Sequence, residues 1–172
     1  MFLVYDDVSV RDFDLDLAAE VAAIVDRHLD EIERGDPAWA DAIRDFDWGE
    51  YVAGLGFAAC QAYLASTFGQ LKIPKDAALA LDPRHRTGKS VVKLVNHAAN
   101  RWKHESEWAI ENNGKHRVRT LAAFVDAGIG KDENYPLLAM LRALVGPDAP
   151  RFATLLSALV ERRDEPRRRP SR

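Results

Sequence analysis

The chain has a single cysteine in 172 residues, Cys60. One thiol can form neither an internal disulfide nor a cysteine-based metal cluster, so the fold must rest on its core. Cys60 sits in the apolar run Gly56-Phe-Ala-Ala-Cys60, which suits a small core residue better than a reactive thiol, since reactivity needs exposure and a basic neighbour. No stretch of eighteen residues lacks polar interruption, so no transmembrane helix is expected. The opening MFLVYDDVSV has no basic region leading into an apolar run and does not read as a signal peptide. A cytoplasmic protein without a membrane partner is the resulting expectation. There is no HExxH and no Cys/His spacing of a metal site, and nothing calls for a cofactor.

What is present is globular in composition: 47% apolar and 30% charged residues can build one hydrophobic core in a chain of this length. The net charge of −3 hides a strong asymmetry. Residues 1–50 carry fifteen Asp/Glu and four Arg, a balance of −11. Residues 51–172 carry twelve Asp/Glu and twenty Lys/Arg, a balance of +8. Between Arg84 and Arg119 there are nine Lys/Arg against three Glu, and His85, His97, His104 and His116 fall there too. Such asymmetry suits a nucleic-acid face beside an acidic region that shields it; the alternative is that acidic and basic helices simply pack together.

Periodicity predicts an all-α fold: a bundle of three long helices with shorter C-terminal helices, and one short N-terminal strand within Phe2–Val10. Leu17, Val21, Ile24, Val25, Leu29 and Ile32 keep helical spacing from Asp14, and Gly35 with Pro37 stops that helix. A short acidic helix or turn is expected over 36–45. Asp47-Trp-Gly-Glu50 has capping-box spacing and predicts the start of a second helix running to about Phe68. Its middle, VAGLGFAACQAYLAS, is apolar nearly all round, which suits a central helix with close neighbours. Pro74 and Pro83 punctuate the segment 69–88, with a turn of helix near Asp76–Leu81. A third long helix is predicted over about Ser90–Glu111, ended by Asn112-Asn113-Gly114. Shorter helices are expected near Val118–Asp126, Tyr135–Val145 and Arg151–Arg163. The division expected is one helical domain over 1–163 and a disordered basic tail over 164–172.

The third helix carries the most informative stretch, residues 96–108, NHAANRWKHESEW. On a helical wheel Val91, Leu94, Val95, Ala98, Ala99, Trp102 and Ala109 face a core. Asn96, His97, Asn100, Arg101, His104, Glu107, Trp108 and Glu111 fall on the other side. Trp108 there needs a neighbouring helix, a second subunit or a ligand. His97, His104 and Glu111 are spaced by seven residues, about 10.5 Å of helix per step, too far apart to share one metal ion. The loop Arg84-His-Arg-Thr-Gly-Lys-Ser90 ends like a Walker A motif but has Pro83 where that motif needs glycine, and no strand precedes it. It remains an expected anion site built from Arg84, Arg86, Lys89 and Ser90 at a helix N-terminus.

Asn100, Arg101 and His104 lie within one turn, and this inventory suits metal-free RNA cleavage. An imidazole can move the 2′-OH or leaving-group proton, a guanidinium can stabilise charge on phosphorus, and an amide can orient either. The competing reading is a polar helix face packed against another helix, with His104 structural. The segment Asn100-Arg-Trp-Lys-His104-Glu-Ser-Glu-Trp108, in an all-α setting, resembles the HEPN superfamily. That resemblance implies a metal-independent ribonuclease of bacterial defence or toxin–antitoxin type, acting as a homodimer with its site at the subunit interface. The family motif is Arg, four to six residues, then His; Arg101 and His104 have only two residues between them.

The leading expectation is thus an RNA-binding protein. His104 would act as acid or base, Arg101 as phosphate stabiliser and Asn100 as orienting group; Lys93, Lys103, His97 and Trp108 would contact RNA. The alternatives are a non-catalytic interaction module, such as an antitoxin or immunity protein whose acidic first fifty residues bind a protein partner, and a small-molecule or anion-binding helical domain.

Overall fold

The computed structural model describes residues 2–5, 9–34, 42–81, 83–110, 114–148 and 150–168, with side chains placed over 12–34, 47–81, 83–108, 114–148 and 150–161. Among these residues it has seven helices behind a two-stranded hairpin. Strands β1 (Phe2–Tyr5) and β2 (Ser9–Asp12) pair antiparallel, Phe2 opposite Asp12 and Tyr5 opposite Ser9. The single expected strand is therefore a two-stranded hairpin. Helices α1 (Phe13–Glu33), α2 (Ala42–Gln70), α3 (Lys75–Ala78), α4 (Val91–Ile110), α5 (Lys115–Asp126), α6 (Pro136–Val145) and α7 (Phe152–Arg168) follow.

As its composition requires, α2 is the central helix, packed against α1, α4, α6 and α7. One core cluster is shared by α1, α2, α4, α5, α6 and α7, with Phe57, Phe152, Leu137, Met140 and Leu141 fully buried. Two glycines of α2 set the closeness of its neighbours. A Cβ at Gly54 would overlap the indole of Trp102 on α4, and one at Gly56 would lie 2.6 Å from the Phe152 ring of α7. The Phe152 ring meets Phe57 edge-on, 5.0 Å between centroids. Cys60 is buried in this core, and burial pushes its thiol up to about 12, which leaves it inert.

Three acidic side chains hold helix starts. Asp12 accepts the Leu15 N–H at 3.1 Å and so caps α1. Asp26, buried on α1, accepts the N–H groups of Phe152 (2.7 Å) and Ala153 (3.0 Å) and caps α7. Glu50 of α2 does the same for α6, accepting from Leu137 (2.7 Å) and Leu138 (3.0 Å). Arg151 pairs with Asp30 and Glu33, tying the start of α7 to the end of α1.

Several expectations need correction. Asp47 and Glu50 form no capping box, because α2 already begins at Ala42; Glu50 caps a different helix. On α1 the buried face is Ala18, Ala22, Val25, Asp26 and Leu29, whereas Leu17 and Ile24 are exposed. The face is rotated because Asp26 has to point inward to reach α7, and because the alanines let α1 approach α2 closely. Helix α7 reaches Arg168, so residues 164–168 of the expected disordered tail continue it. Residues 36–41 of the expected acidic turn, Asn112–Asn113, and 169–172 of the tail lie outside the described residues, whereas 42–45 belong to α2.

Candidate functional site

The polar face of α4 forms one wall of a groove of about 950 Å³. Lys93, Asn96, His97, Asn100, His104, Glu107 and Trp108 of α4 line it. Gly114, His116, Arg119 and Thr120 at the start of α5 form the facing wall. Lys75, Asp76, Leu79 and Ala80 of the α3 region, with Arg84, Lys89 and Ser90, close one end. Among the described residues the lining thus holds five Lys/Arg (Lys75, Arg84, Lys89, Lys93, Arg119) and three histidines against two acids, Asp76 and Glu107.

These cations are not equally available. Arg84 donates to the backbone oxygens of Ala80 (2.7 Å) and Gly88 (3.4 Å), which fixes it to its own loop. Lys89 pairs with Asp126 at 2.9 Å. Lys75, Lys93 and Arg119 have no ion-pair partner among the described residues. These three leave the groove with uncompensated positive charge.

The loop before α4 is rigid for a local reason. His85 is buried and its Nε2 meets the Ala143 carbonyl at 3.1 Å, so Nε2 must carry the proton and Nδ1 accepts from Thr87 Oγ1 at 2.9 Å. Gly88, at φ 79°, allows the turn in which the His85 N–H bonds the Lys89 carbonyl at 2.8 Å. The α4 start is already satisfied: the Val91 N–H donates to Pro83 O at 2.8 Å, and Ser90 Oγ accepts the Lys93 N–H at 3.4 Å. The anion cradle expected from helix-terminal N–H groups is therefore largely consumed by the protein itself. Arg86 does not line the groove; its guanidinium lies toward the Gly128 turn after α5.

His97 forms part of the groove floor. Its Nδ1 lies 3.2 Å from the buried Thr120 Oγ1 of α5. Burial, reinforced by the nearby Lys93 charge, pulls this imidazole down to about 4, so it is neutral at pH 7. His104 stands toward the far end, Nδ1 2.8 Å from Glu107 Oε2, its ring near-parallel to the Trp108 indole with centroids 6.3 Å apart. Trp108 is half-buried, and its carbonyl accepts from Arg117 at 3.4 Å. Of the contacts that Trp108 needs on this polar side, the structure supplies the His104 ring of its own helix.

The grouping of Asn100, Arg101 and His104 is not realised. Asn100 and His104 line the groove; Arg101 does not. Its guanidinium pairs with Glu105 at 3.2 Å and lies 5.3 Å from the Phe124 ring centroid, with its Nε buried and unpartnered. One residue along a helix is 100° around it, and at Arg101 that rotation turns the side chain toward α5 and Glu50. Lys103 also lies outside the groove, where its Nζ donates to Gln61 Oε1 of α2. Trp102 packs on Gly54, as a core position should, and continues a row of rings through Tyr51 to Trp48.

Among the groove residues not assigned to a site from the sequence are Lys75, His116, Arg119 and Thr120. His116 and Arg119 belong to the basic run, and the i, i+4 spacing of His116 and Thr120 on α5 could have placed them together. Lys75 carries no such signal. Among the described residues no group of three or more His, Cys, Asp or Glu side chains could hold a metal ion, and no helix is long and apolar enough to cross a membrane. No protein-family model, curated protein or solved structure matches this chain.

Proposed function

We propose that the protein binds RNA, as a single strand laid along the groove between α4 and α5. The observation that carries this reading is the groove's charge: among the described residues, three cations without an ion-pair partner, Lys75, Lys93 and Arg119, stand around a concave surface with two acids. From Lys93 to Trp108 the wall is fifteen residues of helix, about 22 Å, room for several nucleotides. The His104–Trp108 end offers flat rings on which an unpaired base can stack, a sequence-tolerant contact. Phosphates toward Lys93 and Arg119 with a base toward Trp108 is the arrangement that the distribution of side chains favours.

The proposal is binding. Cleavage by His104 would need a cation at the same phosphate, and Arg101, held by Glu105 and the Phe124 ring, does not line the groove. His97, neutral and two turns from His104, is a hydrogen-bonding group rather than a proton donor at pH 7.

The test is fluorescence anisotropy of a labelled unstructured RNA across a salt series. Three neutralised phosphates on a single strand predict a log–log slope of about −2. Absence of binding at low salt, or a slope near zero, refutes the reading. The same samples incubated in EDTA and run on a denaturing gel report strand scission, which would return His104 to a catalytic role.

A further inference from the structure

Asn96 and Asn100 stand one turn apart on α4, on the edge of the groove wall. An asparagine side chain can present a donor or an acceptor to a ligand, depending on which way its amide is turned. Here the choice is dictated from behind the helix. Lys103 has only N–H donors, so the atom of Gln61 that meets its Nζ must be the oxygen, Oε1. The Gln61 nitrogen is thereby directed at α4. Its two protons go to Asn96 Oδ1 at 2.9 Å and Asn100 Oδ1 at 3.1 Å, with the Asn96 backbone oxygen a longer third acceptor at 3.4 Å. With both oxygens held against α2, both Nδ2 groups point away from it. Neither Nδ2 has a protein partner among the described residues, and neither is a buried orphan.

We propose that Lys103 and Gln61 lock Asn96 and Asn100 as a pair of neutral N–H donors facing the groove, poised to bind successive anionic oxygens of a phosphodiester strand. The inference rests on the RNA reading of the groove. It makes Gln61 and Lys103 positioning residues, although neither lines the groove. A lysine that sequence places among direct RNA contacts acts instead through two amides. The device also makes chemical sense beside Lys93: amides add hydrogen bonds to the strand without adding salt-sensitive charge or holding counterions that must be released. A fixed donor pair recognises the backbone, which every sequence shares, so it sets register and polarity rather than base identity.

The test is to reverse the relay without removing a groove cation. In Gln61→Glu the carboxylate still pairs with Lys103, but it presents oxygen where Gln61 presented N–H. The Asn96 and Asn100 amides must then turn over and offer their oxygens to the strand. Each hydrogen bond to a charged acceptor is worth roughly tenfold in affinity, so the RNA Kd should rise between about tenfold and about a hundredfold. The salt slope should stay at the wild-type value, because no phosphate loses its cation. Asn96→Ala with Asn100→Ala should weaken binding similarly, and adding Gln61→Glu to that pair should change the Kd by less than about twofold. The inference alone fails if Gln61→Glu binds like wild type, or if its loss persists undiminished in the double-alanine background. It fails too if that loss comes with a shallower slope. Should Gln61→Glu not fold, as judged by thermal melting, Lys103→Met decides. Loss of affinity at unchanged slope supports positioning, and a slope shallower by about 0.7 marks a direct phosphate contact and overturns it. Wild-type protein that binds no RNA at low salt overturns both this inference and the reading beneath it.

Discussion

Two half-buried ionisable groups should make the stability of this protein deceptively flat with pH. Burial raises Glu50 from 4.5 to about 7, against the pull of the Leu137 and Leu138 N–H groups and of Arg101. Burial lowers His97 from 6.5 to about 4, with Lys93 adding to the effect. Between pH 4.5 and 6.5 the folded state holds a proton on Glu50 that the unfolded state has lost, so stability falls as pH rises. Over the same window the unfolded state holds a proton on His97 that the folded state excludes, so stability rises with pH. At 1.36 kcal/mol per pKa unit each full shift has an upper bound of about 3 kcal/mol, and solvent screening at these half-buried sites reduces it to about 1–2 kcal/mol. The two slopes have opposite sign and similar size, and wild type should change little from pH 4.5 to 6.5. Urea denaturation across that range should separate them. Glu50→Gln should show stability that climbs with pH from about 4 to 6.5, leaving the His97 contribution exposed. His97→Gln should show stability that declines from about 4.5 to 7. Profiles that run parallel in wild type and both variants would refute the assignment of these groups to half-buried, oppositely shifted states.

The other expectations test the placement of single side chains. Arg119→Ala should weaken RNA binding and make the salt slope shallower by about 0.7, whereas Arg101→Ala should leave both within error, since only the first lines the groove. Gly56→Ala forces a Cβ against the fully buried Phe152 ring and should cost about 1–3 kcal/mol, seen as a fall in Tm of several degrees. Asp26→Ala uncaps α7 and strands the buried Phe152 N–H, a loss of about 2–3 kcal/mol by urea titration with RNA affinity retained.

Much of the fold was legible because helices write their period into the sequence. The apolar stripe Val91, Leu94, Val95, Ala98, Ala99 is buried as the wheel requires, and the all-round apolar α2 is central. Illegible were the interactions that join distant segments. Asp26 and Glu50 look like surface acids on helix faces; each instead caps a helix some ninety or more residues away. That also explains why Leu17 and Ile24, apolar and in phase, are outside. At the candidate site, helical spacing correctly put Asn96, His97, Asn100, His104 and Trp108 on one wall. It could not say that Arg101, long enough to reach either way, would be drawn to Glu105 and Phe124. Nor could it supply the facing wall, because α5 approaches α4 only through tertiary packing.

The charge asymmetry of the chain has two explanations, and the structure gives each its own region. Part of the acidic half is used internally. Asp12 and Asp26 cap helices, Asp14 accepts from Ser66 and Gln70 of α2, and Asp30 with Glu33 holds Arg151. Acids committed in this way have little left to offer a basic protein partner. In the basic half, Lys75, Lys93 and Arg119 have no ion-pair partner among the described residues around the groove. Packing of opposite charges therefore accounts for the α1–α7 side, while the α4–α5 side retains a local positive field. At physiological ionic strength charges act over about 8 Å, so a polyanion in the groove responds to those three cations rather than to acids across the central helix. A net charge of −3 is thus compatible with a nucleic-acid groove, because the balance that a ligand meets is set within one Debye length of its own phosphates.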